Sequence, residues 1–160
     1  MTLLSRPQPR ALPRLSAAAL VAAGCAAHFN AHATDFRSTD IDPDGYPPTL
    51  PPGFSGEPWA ADLHLTPDGR FLYSSERRSS TLAAFRVDPH DGTLAPLGHT
   101  PTEAQPRSFA ITPDGCFLIV AGQVSNRLAV HAIDAGSGAL RLGGVFDTGE
   151  APGWVEVLAL

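Results

Sequence analysis

The chain has 160 residues, 43% of them hydrophobic, and a net charge of -5, so it has enough apolar material for a packed core and no composition typical of disorder. All 11 basic residues are arginine and no basic run exceeds Arg77-Arg78, which argues against a nucleic-acid partner. The two cysteines form no Cys/His cluster, so no metal site is predicted, and no apolar run reaches the roughly 20 residues of a membrane-spanning helix.

The first 35 residues differ in composition from the rest of the chain. They are rich in alanine and arginine, and the segment 5–33 combines basic residues, an apolar stretch and a final "AHA" of the small-x-small form found at signal-peptide cleavage sites. Export is therefore one interpretation of residues 1–35, and a disordered leader is the other. The folded part is predicted to comprise residues 36–160.

From residue 61 onward the apolar residues recur with a period of two, which is typical of β-strands. Four strands are predicted at 61–65, 70–75, 81–87 and 93–98. The first two are joined by "TPDG" at 66–69, in which proline presets φ at the first corner and glycine accepts a positive φ. This quartet therefore predicts a hairpin turn.

The same pattern returns 46 residues later in the chain. Residues 61–106 align without a gap on residues 107–152, with 15 identical positions in 46. Chance would produce roughly three identities, so the two segments form an internal repeat.

Tandem units of four short antiparallel strands predict an all-β fold, a β-propeller in which each unit is one blade. Partial units flank the two complete ones, because "STDIDPDG" at 38–45 matches the turn at 86–92 and residues 153–160 align with the opening strand of a further blade. The chain therefore holds about two and a half blades. A β-sandwich built from two such sheets is the alternative fold.

One rim of this predicted propeller carries unusual residues. The start of a blade's first strand and the loop between its second and third strands share the rim opposite the "TPDG" hairpin. Arg107 opens the first strand of the second unit, and Glu76 and Arg77 stand in the second-to-third loop of the first unit. Their repeat equivalents are Ala61, Gly122 and Gln123. Because scaffold positions match between the units while these differ, the three residues are candidates for a site.

Three stretches carry a resemblance to a known family: "WAADLHLTPDGRFLYSSERRSSTLAAFRVD", "PTEAQPRSFAITPDGCFLIVAGQ" and "APGWVEV". Over residues 36–160 the chain resembles the last part of the propeller-type 6-phosphogluconolactonases, a family of seven-bladed lactonases. The resemblance implies hydrolysis of 6-phospho-glucono-1,5-lactone to the open acid, a small-molecule sugar lactone as the ligand, and no metal or organic cofactor. It also implies a cytoplasmic location, whereas the signal-like residues favour export.

The resemblance further implies a site of one histidine, one glutamate and two arginines around one end of the channel. Only the arginine of the "QPR" motif can be matched, and it corresponds to Arg107, the predicted catalytic residue, which would stabilise an oxyanion or clamp a phosphate. Glu76, Arg77 and His64 are predicted to bind substrate. The structural alternatives are an ion pair between Arg107 and Glu103, and a His64 that packs between blades.

The length of the chain limits this functional prediction. Seven blades of about 46 residues need roughly 320 residues. The chain is therefore expected to be an incomplete lactonase, with an N-terminal propeller half that is missing or is replaced by self-association. Two other functions stay open: an inactive truncated remnant, and a propeller that serves as a binding module.

Overall fold

The computed structural model describes residues 47–158, and these residues form eight β-strands and no helix. The strands are β1 (Ala60–Leu65), β2 (Phe71–Glu76), β3 (Thr81–Val87), β4 (Leu94–Pro101), β5 (Pro106–Ile111), β6 (Phe117–Gly122), β7 (Arg127–Ile133) and β8 (Leu140–Asp147). They form two antiparallel sheets, in the orders β1-β2-β3-β4 and β5-β6-β7-β8. The predicted all-β class is confirmed, whereas the leader at 1–35 and the turn at 38–45 lie outside the described residues.

Both "TPDG" quartets close the hairpin between the first two strands of their sheet. In the first quartet, Thr66 Oγ1 donates to Asp68 Oδ1 at 2.6 Å and accepts from the backbone N–H of Phe71 at 3.1 Å. Gly69 has a φ of 75°, which a side chain would oppose. The second quartet repeats these contacts from Thr112. The quartets therefore build the scaffold of the hairpins.

The fourth strand of the first sheet runs further than the sequence predicts. The predicted strand ends at Gly98, but β4 continues through it to Pro101. A register shift between Ala84 and Phe85 of the neighbouring strand absorbs the irregularity. β4 tolerates its glycine and prolines because it is an edge strand, with one side of its backbone unpaired.

The two sheets pack against each other as adjacent wedges. The buried side chains of their shared core are Phe71, Tyr73, Leu82, Ala84, Phe109, Leu118, Val120, Ala129 and Ile133. β5 lies against β1 and β2, whereas β4 and β8 make no comparable contact, so the sheets meet at their inner strands and diverge outwards. This geometry confirms two blades of a propeller, and the sandwich alternative is wrong because face-to-face sheets stay in contact across their strands.

The far face of the second blade is the repeat equivalent of the face that the first blade buries. Phe71 is 1% exposed, whereas its equivalent Phe117 is 44% exposed. Phe146 on β8 lies on the same face by strand register and is 58% exposed. Large apolar side chains exposed on one sheet face are typical of a face that packs against a partner. The association of the chain with further blades or with itself stays a prediction that rests on this face.

His131 is a polar side chain inside the contact between the blades. It is fully buried, and its repeat equivalent is Phe85. Its Nε2 lies 3.2 Å from Thr102 Oγ1, while Nδ1 has no hydrogen-bond partner among the described residues. Burial lowers the pKa of His131 below its usual value, and the charge of Glu103 opposes this shift only in part.

We expect the free energy of unfolding to fall as the pH drops below 6.5, because the unfolded chain then binds a proton at His131 that the folded chain resists. The pKa of His131 is lower in the folded chain than in the unfolded chain. The contribution of neutral His131 to stability is therefore complete above pH 6.5 and decreases as the pH falls from 6.5 to the folded-state pKa. His131→Phe should remove this part of the pH dependence. Urea unfolding at about pH 7.5 and about pH 5.5 measures it.

The exposed turn residue His90 supplies the control. His90→Phe should leave the difference between the two pH values as it is in the parent chain. A His131→Phe variant that keeps the full pH dependence would contradict the assignment.

Candidate functional site

A cavity of about 500 Å³ lies at the rim where β1 and β5 begin. Its wall comes from the opening segments of three successive repeats and from one loop residue: Trp59, Ala60, Ala61, Asp62, Arg77, Arg107, Ser108, Gly153 and Trp154. Ala61, Arg107 and Gly153 are repeat equivalents, so one cation stands between two small residues. The rim that topology predicted to carry Arg107 and Arg77 is the rim that holds the cavity.

A β-bulge places Arg107 in the cavity wall. In the β5–β6 ladder Pro106 pairs with Gly122 and Ser108 pairs with Ala121, so Arg107 is the extra residue. An extra residue leaves the regular alternation of side chains and re-aims its own. Arg107 is exposed and forms no ion pair within the described residues, so the alternative pairing with Glu103 is not formed. Its guanidinium is available to a ligand.

Arg77 faces the same cavity and is held from several sides. Its guanidinium carbon lies 3.8 Å from the centre of the Trp59 ring, a close cation–π contact. Its Nη2 donates to Gln123 Oε1, and to Gln105 Oε1 at 3.4 Å. Burial lowers the pKa of Arg77, and the nearby positive charge of Arg107 lowers it further. Both arginines line the same cavity.

Glu76 lies behind the cavity wall and does not line it. It is fully buried, and its two carboxylate oxygens accept three hydrogen bonds. Trp59 N donates to Oε1, and the backbone N–H and the hydroxyl of Ser79 donate to Oε2 at 2.7 and 2.9 Å. Glu76 thereby ties the start of β1 to the loop that carries Arg77. A substrate contact of Glu76 stays a prediction.

His64 also lies outside the cavity wall. Its ring meets the ring of Phe109 edge-on, with centres 4.8 Å apart, so it packs between blades as the structural alternative predicted. Its Nε2 lies 3.3 Å from Asp62 Oδ1. Asp62 lines the cavity, whereas His64 does not. Substrate binding by His64 stays a prediction.

Asp62 is a cavity residue that sequence reasoning missed. Burial raises the pKa of its carboxyl, but the hydrogen bond from His64 and the one from Phe109 N lower it, and the net direction is down. Asp62 Oδ2 accepts from Phe109 N at 3.1 Å, and at the equivalent position Ser108 Oγ accepts from Val155 N at 3.2 Å. The sequence could have indicated this role, because the equivalent positions Asp62 and Ser108 are both polar.

Together these side chains present the groups that an anionic, hydroxylated ligand requires. Two guanidinium groups supply charged donors, the ionised Asp62 supplies an acceptor, and Trp59 and Trp154 supply flat apolar surface. No group of three or more potential metal ligands occurs within residues 47–158.

The sequence profile described as "Lactonase, 7-bladed beta-propeller" matches residues 28–157. A 6-phosphogluconolactonase from Pectobacterium atrosepticum is 43% identical over 126 residues, which are 79% of this chain and 38% of that protein. A 6-phosphogluconolactonase from Sodalis glossinidius is 50% identical over 110 residues, or 69% of this chain and 33% of that protein.

Among solved structures, one similar chain is described as a periplasmic gluconolactonase from Pseudomonas aeruginosa, with a TM-score of 0.59 and 38% identity over 63% of this chain and 29% of that one. The chain spans about a third of the length of the curated relatives it matches. No helix within the described part of the chain combines the length and the hydropathy needed to cross a membrane.

Proposed function

This chain belongs to the lactonase family that folds as a seven-bladed β-propeller, and we propose that it hydrolyses the ring ester of a sugar lactone. The proposed substrate is 6-phospho-glucono-1,5-lactone, in line with the activity for which its relatives are named. Water adds to the carbonyl carbon, the bond from that carbon to the ring oxygen breaks, and the product is the open hydroxy acid.

The observation that carries this proposal is the free guanidinium of Arg107 on its bulge at the cavity wall. When water attacks the lactone, the carbonyl oxygen gains negative charge. A guanidinium is always protonated, and the bulge places this one in the cavity wall, where it can stabilise the charge. Arg107 is therefore the proposed oxyanion donor and the residue assigned to catalysis.

Asp62 has a different proposed role at the same wall. Its lowered pKa keeps the carboxylate ionised, which makes it a weak proton acceptor and a good hydrogen-bond acceptor. We assign it to the hydroxyl groups of the sugar ring. No general base is assigned among the residues that line the cavity.

Replacing Arg107 tests the reaction. The purified chain should accelerate loss of 6-phosphogluconolactone beyond its spontaneous hydrolysis, measured by continuous titration of the acid released. Arg107→Ala should lower this enzymatic rate by about 100-fold or more, because an oxyanion donor is lost. Arg107→Lys should recover part of it, since the charge returns without the planar fork.

The control is Arg127, an exposed arginine on β7. Its Nε lies 3.2 Å from Oδ1 of Asp147 on β8. Arg127→Ala removes the same side chain away from the cavity and should leave the rate as it was. A chain that adds nothing to the spontaneous rate, or an Arg107→Ala variant as fast as the parent, would overturn the proposal.

For the compartment, we propose the cytoplasm from the family resemblance, with export as the alternative. A relative described as periplasmic and the signal-like residues 5–33 support the alternative. Cell fractionation with N-terminal sequencing separates them, because an exported form would begin after residue 33.

A further inference from the structure

We propose that Arg77 is the anchor for the phosphate group of the substrate and that it distinguishes a phosphorylated sugar lactone from a plain one. This inference rests on the proposed function and adds to it the residue that recognises the phosphate. Arg107 then acts on the lactone carbonyl, while Arg77 holds the other end of the same molecule in the same cavity.

The first support is that the position of Arg77 is set before any ligand arrives. Trp59 covers one face of its guanidinium at 3.8 Å, and the amide oxygens of Gln123 and Gln105 accept from Nη2. Trp59 and Gln105 are 46 residues apart, one repeat length, and so are Arg77 and Gln123. A guanidinium held in this way loses little conformational entropy when it binds an anion.

The backbone of the two glutamines that bind Arg77 is also held in a fixed conformation. Gln105 has a φ of 53° although it is not glycine and precedes a proline. The backbone N–H of Gln123 donates to Gln105 O at 3.1 Å, and the equivalent bond joins Arg77 N to Trp59 O at 3.0 Å. Ala151, the repeat equivalent of Gln105, has a φ of 49°, so this conformation belongs to the blade scaffold, which holds Gln105 in place beside Arg77.

The second support is that the charge of Arg77 has no counterion within the described residues. The carboxylate of its neighbour Glu76 accepts hydrogen bonds from Trp59 and Ser79 instead. The carboxylate of Asp62 contacts His64 and accepts a hydrogen bond from Phe109 N. Arg77 Nε is buried without a partner. A structural arginine is usually matched by a carboxylate, whereas this one is matched by neutral amides and leaves an unpaired donor.

A phosphate ester supplies the negative charge that this arrangement lacks. Its oxygens accept charge-assisted hydrogen bonds from a planar fork, and its negative charge offsets the repulsion between Arg77 and Arg107. The hydroxyl groups of a plain lactone carry no charge and do neither. A preference for the phosphorylated ligand should therefore depend on Arg77.

The test measures binding of 6-phosphogluconate and gluconate to the full chain by isothermal titration calorimetry. The parent should bind the phosphorylated acid at least about 10-fold more tightly. In Arg77→Gln the ratio of the two affinities should fall towards one. The matched control is Arg78→Gln, because Arg78 also lies over the Trp59 ring, at 4.9 Å, but does not line the cavity; it should keep the parent ratio.

Two further variants keep the test decisive if Arg77→Gln fails to fold. Arg77→Lys retains the charge without the fork, and Gln123→Ala releases the guanidinium from its position; each should lower the ratio by a few-fold. A parent ratio near one, or an unchanged ratio in these variants, would overturn the anchor. If binding follows Arg77 but no lactone is hydrolysed, the proposed reaction fails and the phosphate anchor stands.

Discussion

Replacing Gly138 by alanine should lower the free energy of unfolding by about 3 kcal/mol. Gly138 has a φ of 76°, and a Cβ built on it would lie 2.4 Å from a ring carbon of Phe71. Phe71 is 1% exposed and belongs to the core between the blades, so its ring has no room to move aside. Gly138 O also accepts from the Tyr73 hydroxyl at 2.8 Å, a bond that any backbone shift would weaken.

The repeat supplies a matched control for this prediction. Gly92 is the equivalent glycine of the first blade, with a φ of 77° and no atom within 4 Å of the same Cβ position. Gly92→Ala should therefore show only the cost of a left-handed backbone, about 1 kcal/mol. Urea unfolding of both variants measures the two effects. Equal losses would mean that contact with Phe71 is not the cause.

Replacing Glu76 by alanine should lower the free energy of unfolding by about 3 kcal/mol or more. The substitution leaves Trp59 N and both donors of Ser79 without an acceptor, in a place that is closed to water. A buried donor without a partner costs more than a hydrogen bond contributes. Chemical denaturation with urea gives the size of the loss.

The same variant should also weaken recognition of the phosphate, because Glu76 connects Trp59 to the loop that carries Arg77. Glu76→Gln keeps one acceptor oxygen and should lose about half as much stability. Glu57→Ala, at an exposed position, is the control and should change neither property. A Glu76→Ala chain with parental stability would mean that water replaces the carboxylate.

Part of the candidate site could be predicted because the repeat gives each position an internal reference. Arg107 stood out against Ala61, and Arg77 stood out against Gln123, so topology alone placed both arginines at one rim. Comparison with the repeat equivalents could not predict the contacts of Glu76 and His64. Which way a side chain points at a strand end depends on the local ladder, and the structure turns Glu76 inward and packs His64 on Phe109.

The sequence by itself determined the blades, because their causes are local: a period of two in the apolar residues, and turn chemistry at "TPDG" that fits one hairpin. Only the tertiary structure decided how the cavity wall is built. The bulge at Arg107 interrupts the alternation on which strand patterns depend, and Asp62 bonds to a backbone 47 residues away. The bulge depends on how β5 pairs with β6, and the Asp62 bond depends on contact between successive repeats. A pattern within one strand carries no information about either.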